Sequence, residues 1–476
     1  MQSEPLHHHP LSLSPSLSLS PSKMESHGDS GRPNDSTPDE LTQGLAILDA
    51  APAHSLLTEE APDSDPFDKP KYRCIRFTPN LVPGFFSKYA IEFTFLAEGA
   101  ANAVFQIHPA VMEPGTAKKT PMYYFVDTNG ARVPRTCFTN KVLRISKGIA
   151  DTLPFRDILW GFENVIRPLF RAPLRGHKGS SNGLTEGRAS ESMASTPTYE
   201  DYLMEDEGLL LDIHTAQYLH YLMHGKACFS GRCDRVPNME LRGIILPDMS
   251  AKRDTSVTLE IKPKWLAQSP NAPPVSFHCR NCATRARRAS KGKLTSPYQI
   301  CPLRLIAGDA TAIEQYLKGY FANWNGTNED SNMDPALNCT VARLTAYLAT
   351  GPGHDLLVFL RQLQTEHDKI GVLGSDAYMH GPDSVPVWRK DTKNDHRLRI
   401  AMTLRDCSLF LRIPLKKADG PIEAKLGDLD FKSPNKIQHW ALKEQALLNG
   451  AWYTKIDTKS GCAFAEELKE NCPWYW

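Results

Sequence analysis

Apolar and polar positions alternate over residues 89–95, placing Ile91, Phe93 and Phe95 on one face. A period of two predicts a half-buried strand. Residues 98–102, Glu-Gly-Ala-Ala-Asn, follow as a turn of small residues, and 103–107 predict a second strand. A third strand is expected over 142–145. A helix is expected over 152–169, where Leu159, Phe162, Val165 and Ile166 recur at helical spacing. Leu209, Leu211, Ile213, Tyr218, Leu219 and Leu222 supply core material further on, and 244–246 and 257–261 predict strands. Residues 311–370 read as largely helical, 404–413 and 424–431 as strands, and 437–448 as a helix. This mixture predicts an α+β fold of two lobes. A strand-rich N-terminal lobe would cover 69–256, and a larger mixed α/β C-terminal lobe 257–476.

Composition adds the regions without a core. Residues 1–68 are rich in Ser, Pro, His and acids, and 176–197 in Gly, Ser, Lys and Thr, both without apolar periodicity. Such segments bury too little apolar surface to offset their ordering entropy, so an N-terminal extension and an insertion are both expected to be disordered. Met24 is a second candidate start. The Leu/Ser alternation over 11–20 lacks the basic and apolar regions of a secretory signal. With no such signal, the 11 cysteines are expected to be reduced, in cytoplasm or nucleus. No apolar run reaches bilayer length, so no membrane contact is expected. A monomer is expected.

The formal net charge is only +1. Any polyanion site must therefore come from local clustering. Between Lys252 and Arg304 stand eleven Lys and Arg against two acids, Asp254 and Glu260. Arg280, Arg285, Arg287 and Arg288 form the densest part. Each phosphate met by such a group makes charge-assisted bonds about twice as strong as neutral ones. At the head of this stretch lies Glu-Ile-Lys-Pro-Lys, residues 260–264. In a strand, Glu260, Lys262 and Lys264 would share one face. They could form a site for a hydroxyl beside phosphates, or a surface ion-pair row of little energetic weight.

Two acidic segments follow. Asp406 stands among Leu404, Leu409, Phe410 and Leu411. A carboxylate there is costly unless it is paired, with Arg405 or backbone donors, or put to work. A kinase needs one such group to orient and deprotonate the attacking hydroxyl. Asp428 and Asp430 close a short apolar run, with hard oxygens suited to magnesium, and Lys432 and Lys436 follow four residues apart. The turn at Gly99 is no Walker loop, and no Gly-x-x-x-x-Gly-Lys-Ser/Thr occurs. Its backbone could still approach phosphates, with Arg144 as the neighbouring cation. Cys279 and Cys282, with Cys301 beyond, have the start of a zinc-ligand spacing, although a second matching pair is missing.

Together these segments resemble the inositol-pentakisphosphate 2-kinase family in a fungal-type version. Five blocks carry the resemblance in order: EGAANAVF from Glu98, VLRISK from Val142, EIKPK from Glu260, RDCS from Arg405 and DLDFK from Asp428. It spans about residues 70–445. It implies an ATP-grasping kinase of two lobes that phosphorylates the 2-hydroxyl of inositol 1,3,4,5,6-pentakisphosphate. Gly99, Ala100, Ala101, Asn102 and Arg144 would hold the nucleotide phosphates. Asp248 would lie at the adenine-side hinge, and Glu260 would touch the ribose. Lys262 and Lys264 would sit between ATP and the inositol phosphates, Lys262 with a catalytic share. Asp406 would be the base, and Asp428, with Asp430, would bind magnesium. Arg280, Arg288, Lys432 and Lys436 would hold substrate phosphates. The family often has Lys where Arg405 stands, and His where Thr284 stands. The competing reading is a non-enzymatic zinc or nucleic-acid-binding module built on Cys279, Cys282 and the basic stretch. It leaves Asp406 and Asp428 without a task.

Overall fold

Period-two segments in the first half of the chain build one sheet of eight strands. They are β1 (Tyr72–Phe77), β2 (Ile91–Glu98), β3 (Asn102–Pro109), β4 (Met122–Asp127), β5 (Arg132–Val133), β6 (Lys141–Ser146), β7 (Glu207–Leu210) and β8 (Arg242–Pro247). Their order is β1-β7-β8-β6-β3-β2-β4-β5, and β1 also pairs with β4. Seven strands thus close into a ring, which removes free edges. Phe93, Phe105, Tyr123, Phe125 and Leu143 fill its interior, joined by Ala216 and Leu219 of α3 (Ile213–His224). The computed structural model describes residues 70–77, 83–99, 101–110, 121–148, 153–173, 197–224, 241–252, 254–293, 299–325, 335–374, 379–380, 386–387, 392–456 and 461–465. The expected extension over 1–68, and the expected insertion apart from Pro197, lie outside the described residues.

Two expected core residues of this sheet face outward instead. A bulge between Phe95 and Ala97 breaks the alternation of β2, and Phe95 is 40% exposed. Ile213 opens α3 and is also exposed. The helix expected over 152–169 is also more broken than its pattern. It runs as α2 (Phe155–Gly161), a wide π turn over Phe162–Ile166, and a 3-10 turn over Arg167–Phe170. Pro168 has no N–H to continue an α ladder. Phe162, Ile166 and Phe170 instead insert into the core of the second half of the chain.

That second core surrounds a three-stranded antiparallel sheet, ordered β13-β12-β9: β9 (Ser256–Ile261), β12 (Ser408–Pro414) and β13 (Glu423–Gly427). A short helix, α1 (Pro83–Tyr89), lies with the first sheet, and the helices of the second half are α4 (Arg280–Ser290), α5 (Pro302–Ile306), α6 (Ala310–Asn325), α7 (Pro335–Ala349), α8 (Pro352–His367), α9 (Thr392–Asp406) and α10 (Lys436–Asn449). Of these, α5 to α8 pack their apolar faces onto Leu259, Ile261, Leu409, Leu411 and Ile413. A small hairpin of β10 (Met379–His380) and β11 (Pro386–Val387) completes the strands. The α+β class read from the sequence is the class observed. No described helix is long and apolar enough to cross a membrane.

One boundary of the sequence reading is overturned. Residues 404–406 were expected within a strand, yet they form the last turn of α9, and β12 begins only at Ser408. Leu398, Ala401, Met402 and Leu404 recur at helical spacing and are buried. The apolar run of β12 follows that stripe with only Arg405, Asp406, Cys407 and Ser408 between, so the two periods merge on inspection. The strand expected over 424–431 likewise ends at Gly427, because Asp428 turns the chain at a φ of 55°.

Candidate active site

Asp406 occupies an unfavourable place for a carboxylate. It is the last residue of α9, where the helix dipole disfavours negative charge by about 0.3–1 kcal/mol. Two ammonium groups compensate. Lys264 Nζ lies 3.1 Å from Oδ1, and Lys432 Nζ lies 2.9 Å from Oδ2. Burial pushes this carboxyl up, but Lys432 and Lys264 outweigh it and hold it down at about 2. Arg405 is not its partner. That guanidinium points into the core, where it bonds Asp368 at 2.6 Å and lies over the Trp265 ring. The pairing with Arg405 weighed from the sequence is thus replaced by two lysines, each from another segment.

The row expected from Glu260, Lys262 and Lys264 divides. β9 ends at Ile261, Pro263 cannot donate to a ladder, and Lys264 adopts a φ of 57°. Left-handed backbone at a residue with a side chain is strained, and such strain gathers at functional sites. Gln364, fully buried, fixes this bend by donating to the Lys264 carbonyl at 2.9 Å and accepting from Leu266 N–H at 3.0 Å. Lys264 therefore reaches Asp406, while Glu260 and Lys262 meet at Ser408. The Ser408 hydroxyl lies 2.7 Å from Glu260 and 2.9 Å from Asp428, and accepts from Lys262 at 2.8 Å. Lys262 also contacts Asp428 at 2.9 Å. Burial pulls the Lys262 ammonium down, but Asp428 and Glu260 raise it above its ordinary range.

Asp430 turns the other way, onto the ring of strands. Arg144 of β6, nearly buried, grips both of its oxygens, with Nη1 at 3.0 Å. Asn102 stands beside this pair. In the amide orientation that satisfies both groups, its oxygen accepts from Arg144 Nε at 3.1 Å and Nη2 at 2.7 Å. The turn between β2 and β3 is closed by Gly99 N–H donating to the Asn102 carbonyl at 2.8 Å. Lys147 N–H donates to Ala101 O at 2.8 Å, and its ammonium to Gly99 O at 3.3 Å. Ala100 lies outside the described residues. The turn thus sits next to Arg144. Gly161 lets α2 approach here, since a Cβ would stand 2.6 Å from Phe431 Cβ.

Asp206 belongs to this corner and went unnoticed in the sequence. Burial pushes its carboxyl up to about 8, Asp430 and Glu163 add to the rise, and Arg144 opposes it. Asp428 and Asp430 do not bring a third acid or imidazole within metal-binding reach among the described residues. A magnesium ion there would complete its shell with phosphate oxygens and water, as that ion does. Two hard carboxylates fit it by donor type, with Asp430 sharing its oxygens with Arg144.

Asp248 stays apart from these groups, in the link between β8 and β9. Its backbone N–H donates to Asn140 O at 2.7 Å, and its carbonyl accepts from Arg412 at 2.8 Å. It therefore ties the two sheets together.

The basic groups converge on the other side of Asp406. Arg280 is buried, bonded to Glu444 at 2.7 Å and stacked over Trp265, whereas Arg288 and Lys436 are exposed. Lys443 joins them. Burial, Arg280, Arg288 and Lys436 all lower its ammonium pKa, and Asp406 raises it. His439 is lowered by burial, Lys443 and Lys436. Lys436, His439 and Lys443 stand at i, i+3 and i+7 of α10, one helical face. That spacing is present in the sequence, but the denser basic stretch before Arg304 is the stronger charge signal. Cys279, Cys282 and Cys301 gather in a buried cluster of their own, joined by Cys462.

A continuous strip therefore runs from the Gly99 turn through Arg144, Asp430, Asp428 and Lys262 to Asp406, and on to Lys443 and Arg288. The inositol-pentakisphosphate 2-kinase family model matches residues 95–446, which contain the whole strip. The chain belongs to the inositol-pentakisphosphate 2-kinase family. A relative from Yarrowia lipolytica (strain CLIB 122 / E 150), called inositol-pentakisphosphate 2-kinase, is 32% identical over 204 residues. That match covers 43% of this chain and 56% of the relative, so the chain spans little more than half the length of the curated relative it matches. The family match covers both acidic segments that the zinc or nucleic-acid module leaves idle, and that reading is not favoured.

Proposed function

We propose that the chain transfers the γ-phosphoryl group of ATP to the 2-hydroxyl of inositol 1,3,4,5,6-pentakisphosphate, giving the hexakisphosphate. The observation that carries this reading is Asp406, an ionised carboxylate held between Lys264 and Lys432 at the edge of a cluster of cations that includes Arg280, Arg288, Lys436 and Lys443. Family membership and the name of the Yarrowia lipolytica relative support it.

The nucleotide side is the turn at Gly99, Ala100, Ala101 and Asn102 with Arg144, while Asp248 marks the adenine hinge and Glu260 takes the ribose. Magnesium, held by Asp428 and Asp430, would supply neutralisation of the phosphate charge. On the substrate side, Lys264, Arg280, Arg288, Lys432 and Lys436 meet the inositol phosphates, and we add Lys443. An ammonium lowered by like charges gains when a polyanion arrives. Thr284, where the family often has His, bonds its own helix at Arg280 O (2.8 Å).

Asp406 is a weak base while both lysines hold it. Phosphates of the substrate compete for Lys264 and Lys432, and each bond lost raises the basicity of Asp406 as the hydroxyl arrives. A loose phosphoryl-transfer transition state asks chiefly for positioning and charge stabilisation. Lys262, beside Asp428, is placed to stabilise the charge of the transferring group. Activity in nucleus or cytoplasm, as a monomer, goes with this reading. The test is incubation with magnesium ATP and a panel of inositol phosphates, with products separated by anion-exchange chromatography. Hexakisphosphate from the pentakisphosphate is expected, and its absence overturns the proposal.

A further inference from the structure

One face of α9 holds every polar group of Lys432. Arg399, Thr403 and Asp406 stand at i, i+4 and i+7 of that helix, so their side chains share a face. Asp406 takes the Lys432 ammonium at 2.9 Å. Thr403 Oγ1 accepts from the Lys432 N–H at 3.2 Å. Arg399 Nε donates to the Lys432 carbonyl, and its guanidinium lies 4.1 Å over the ring of Phe431, the residue before. Thr403 Oγ1 also donates to Arg399 O at 2.9 Å and lies 3.4 Å from the Asp430 carbonyl.

The loop after β13 needs such partners. The strand ends at Gly427 and Asp428 turns the chain, so the backbone from Asp430 to Lys432 runs outside any ladder. Backbone groups buried there must find other partners. Side chains of α9 supply them. Thr403 is fully buried, where a hydroxyl is costly unless it is bonded. Burial pulls the Arg399 guanidinium down to about 10, with Asp395 opposing. It stays charged at neutral pH, so its bond to the carbonyl is charge-assisted. The same loop is gripped from the other side by Arg144, through Asp430.

We propose that Arg399 and Thr403 are positioning residues for phosphoryl transfer, locking the Lys432 backbone so that only its ammonium moves between Asp406 and a substrate phosphate. Both act through Lys432. The helix that ends in the base then also fixes the cation beside it, and the spacing of the two survives when substrate draws the ammonium away. This role rests on the kinase reading, whereas the clamp itself can be read without turnover.

Three variants of the full chain test it. Thr403→Val keeps the shape and removes the hydroxyl, Thr403→Ser keeps the hydroxyl, and Arg399→Lys keeps the charge without the Nε donor. Each is compared with the parent by hydrogen–deuterium exchange of the peptide spanning 428–436, by thermal melting, and by kinetics with magnesium ATP and the pentakisphosphate. Thr403→Val is expected to speed exchange at the Lys432 amide by about tenfold. It should also lower kcat and kcat/KM together, by about tenfold or more, as loss of positioning does. Thr403→Ser should stay close to the parent in both readouts. Arg399→Lys should lower kcat in the same way, and it decides the matter if Thr403→Val fails to fold. Unchanged exchange in Thr403→Val would overturn the clamp, and so would an equal loss in Thr403→Ser, which assigns the effect to shape. Faster exchange with an unchanged kcat would overturn the positioning role. A parent that makes no hexakisphosphate while exchange responds as expected would overturn the kinase reading, and the role in transfer with it, but not the clamp.

Discussion

Arg144 and Asp430, 286 positions apart in sequence, form a two-pronged ion pair that joins the ring of strands to the loop after β13. The pair lies beside the Gly99 turn, where nucleotide phosphates are proposed to bind. Arg144 then has two tasks, and the phosphates must compete with Asp430 for it.

Arg144→Ala is therefore expected to raise the KM for ATP. Charge-assisted bonds contribute about 1.5–3 kcal/mol, or roughly tenfold to a hundredfold. Affinity for the pentakisphosphate should change little. Steady-state kinetics with each substrate varied, together with calorimetric binding, separates the two. An ATP KM within twofold of the parent would remove Arg144 from the nucleotide site.

Lys443 and Arg280 stand close together but should respond differently. Lys443→Ala is expected to weaken pentakisphosphate binding by about fivefold to tenfold at low salt, on the order of 1 kcal/mol. The loss should shrink as ionic strength rises, because the group is exposed. Lys264→Ala should behave in the same way. Arg280→Ala leaves Glu444 buried without its cation, a change that costs about 3–5 kcal/mol. It should lower the melting temperature markedly as well as binding. Titrations at two salt concentrations beside thermal melts check this contrast.

Asp206 gives a pH signature. Burial raises its carboxyl to about 8, so the folded chain holds a proton that the unfolded chain releases near pH 4. Between those values stability falls as pH rises, and above about 8 the contribution is gone. Asp206→Asn removes the dependence. The variant should gain stability relative to the parent from pH 5 to pH 8, measured as the difference in melting temperature. Parallel curves would contradict the assignment.

The sequence carried the local parts of this arrangement well. β2 is legible from short-range alternation, β3, β6, β8 and β9 from short apolar segments, and α10 from its helical stripe. Asp406 stands out as charge placed where charge is costly, Lys262 and Asp428 stand in short charged segments, and Arg144 stands on a strand near the Gly99 turn. What escaped depends on long-range pairing. Nothing local tells β1 to pair with β4 and close the ring, or Arg405 to choose Asp368 over its neighbour Asp406. Cys462 lies 161 positions from Cys301, so no spacing rule connects them. The merging of α9 into β12 hid the helical setting of Asp406, and with it the reason two lysines must attend it.

Asp406→Asn is the most direct test of the central claim. The variant keeps shape and hydrogen-bonding capacity but loses the charge that Lys264 and Lys432 hold and the ability to take a proton. The account predicts turnover reduced by at least about a hundredfold, the scale of general-base loss, with pentakisphosphate affinity kept or slightly tighter because two lysines are released. Near-normal turnover in that variant would contradict it.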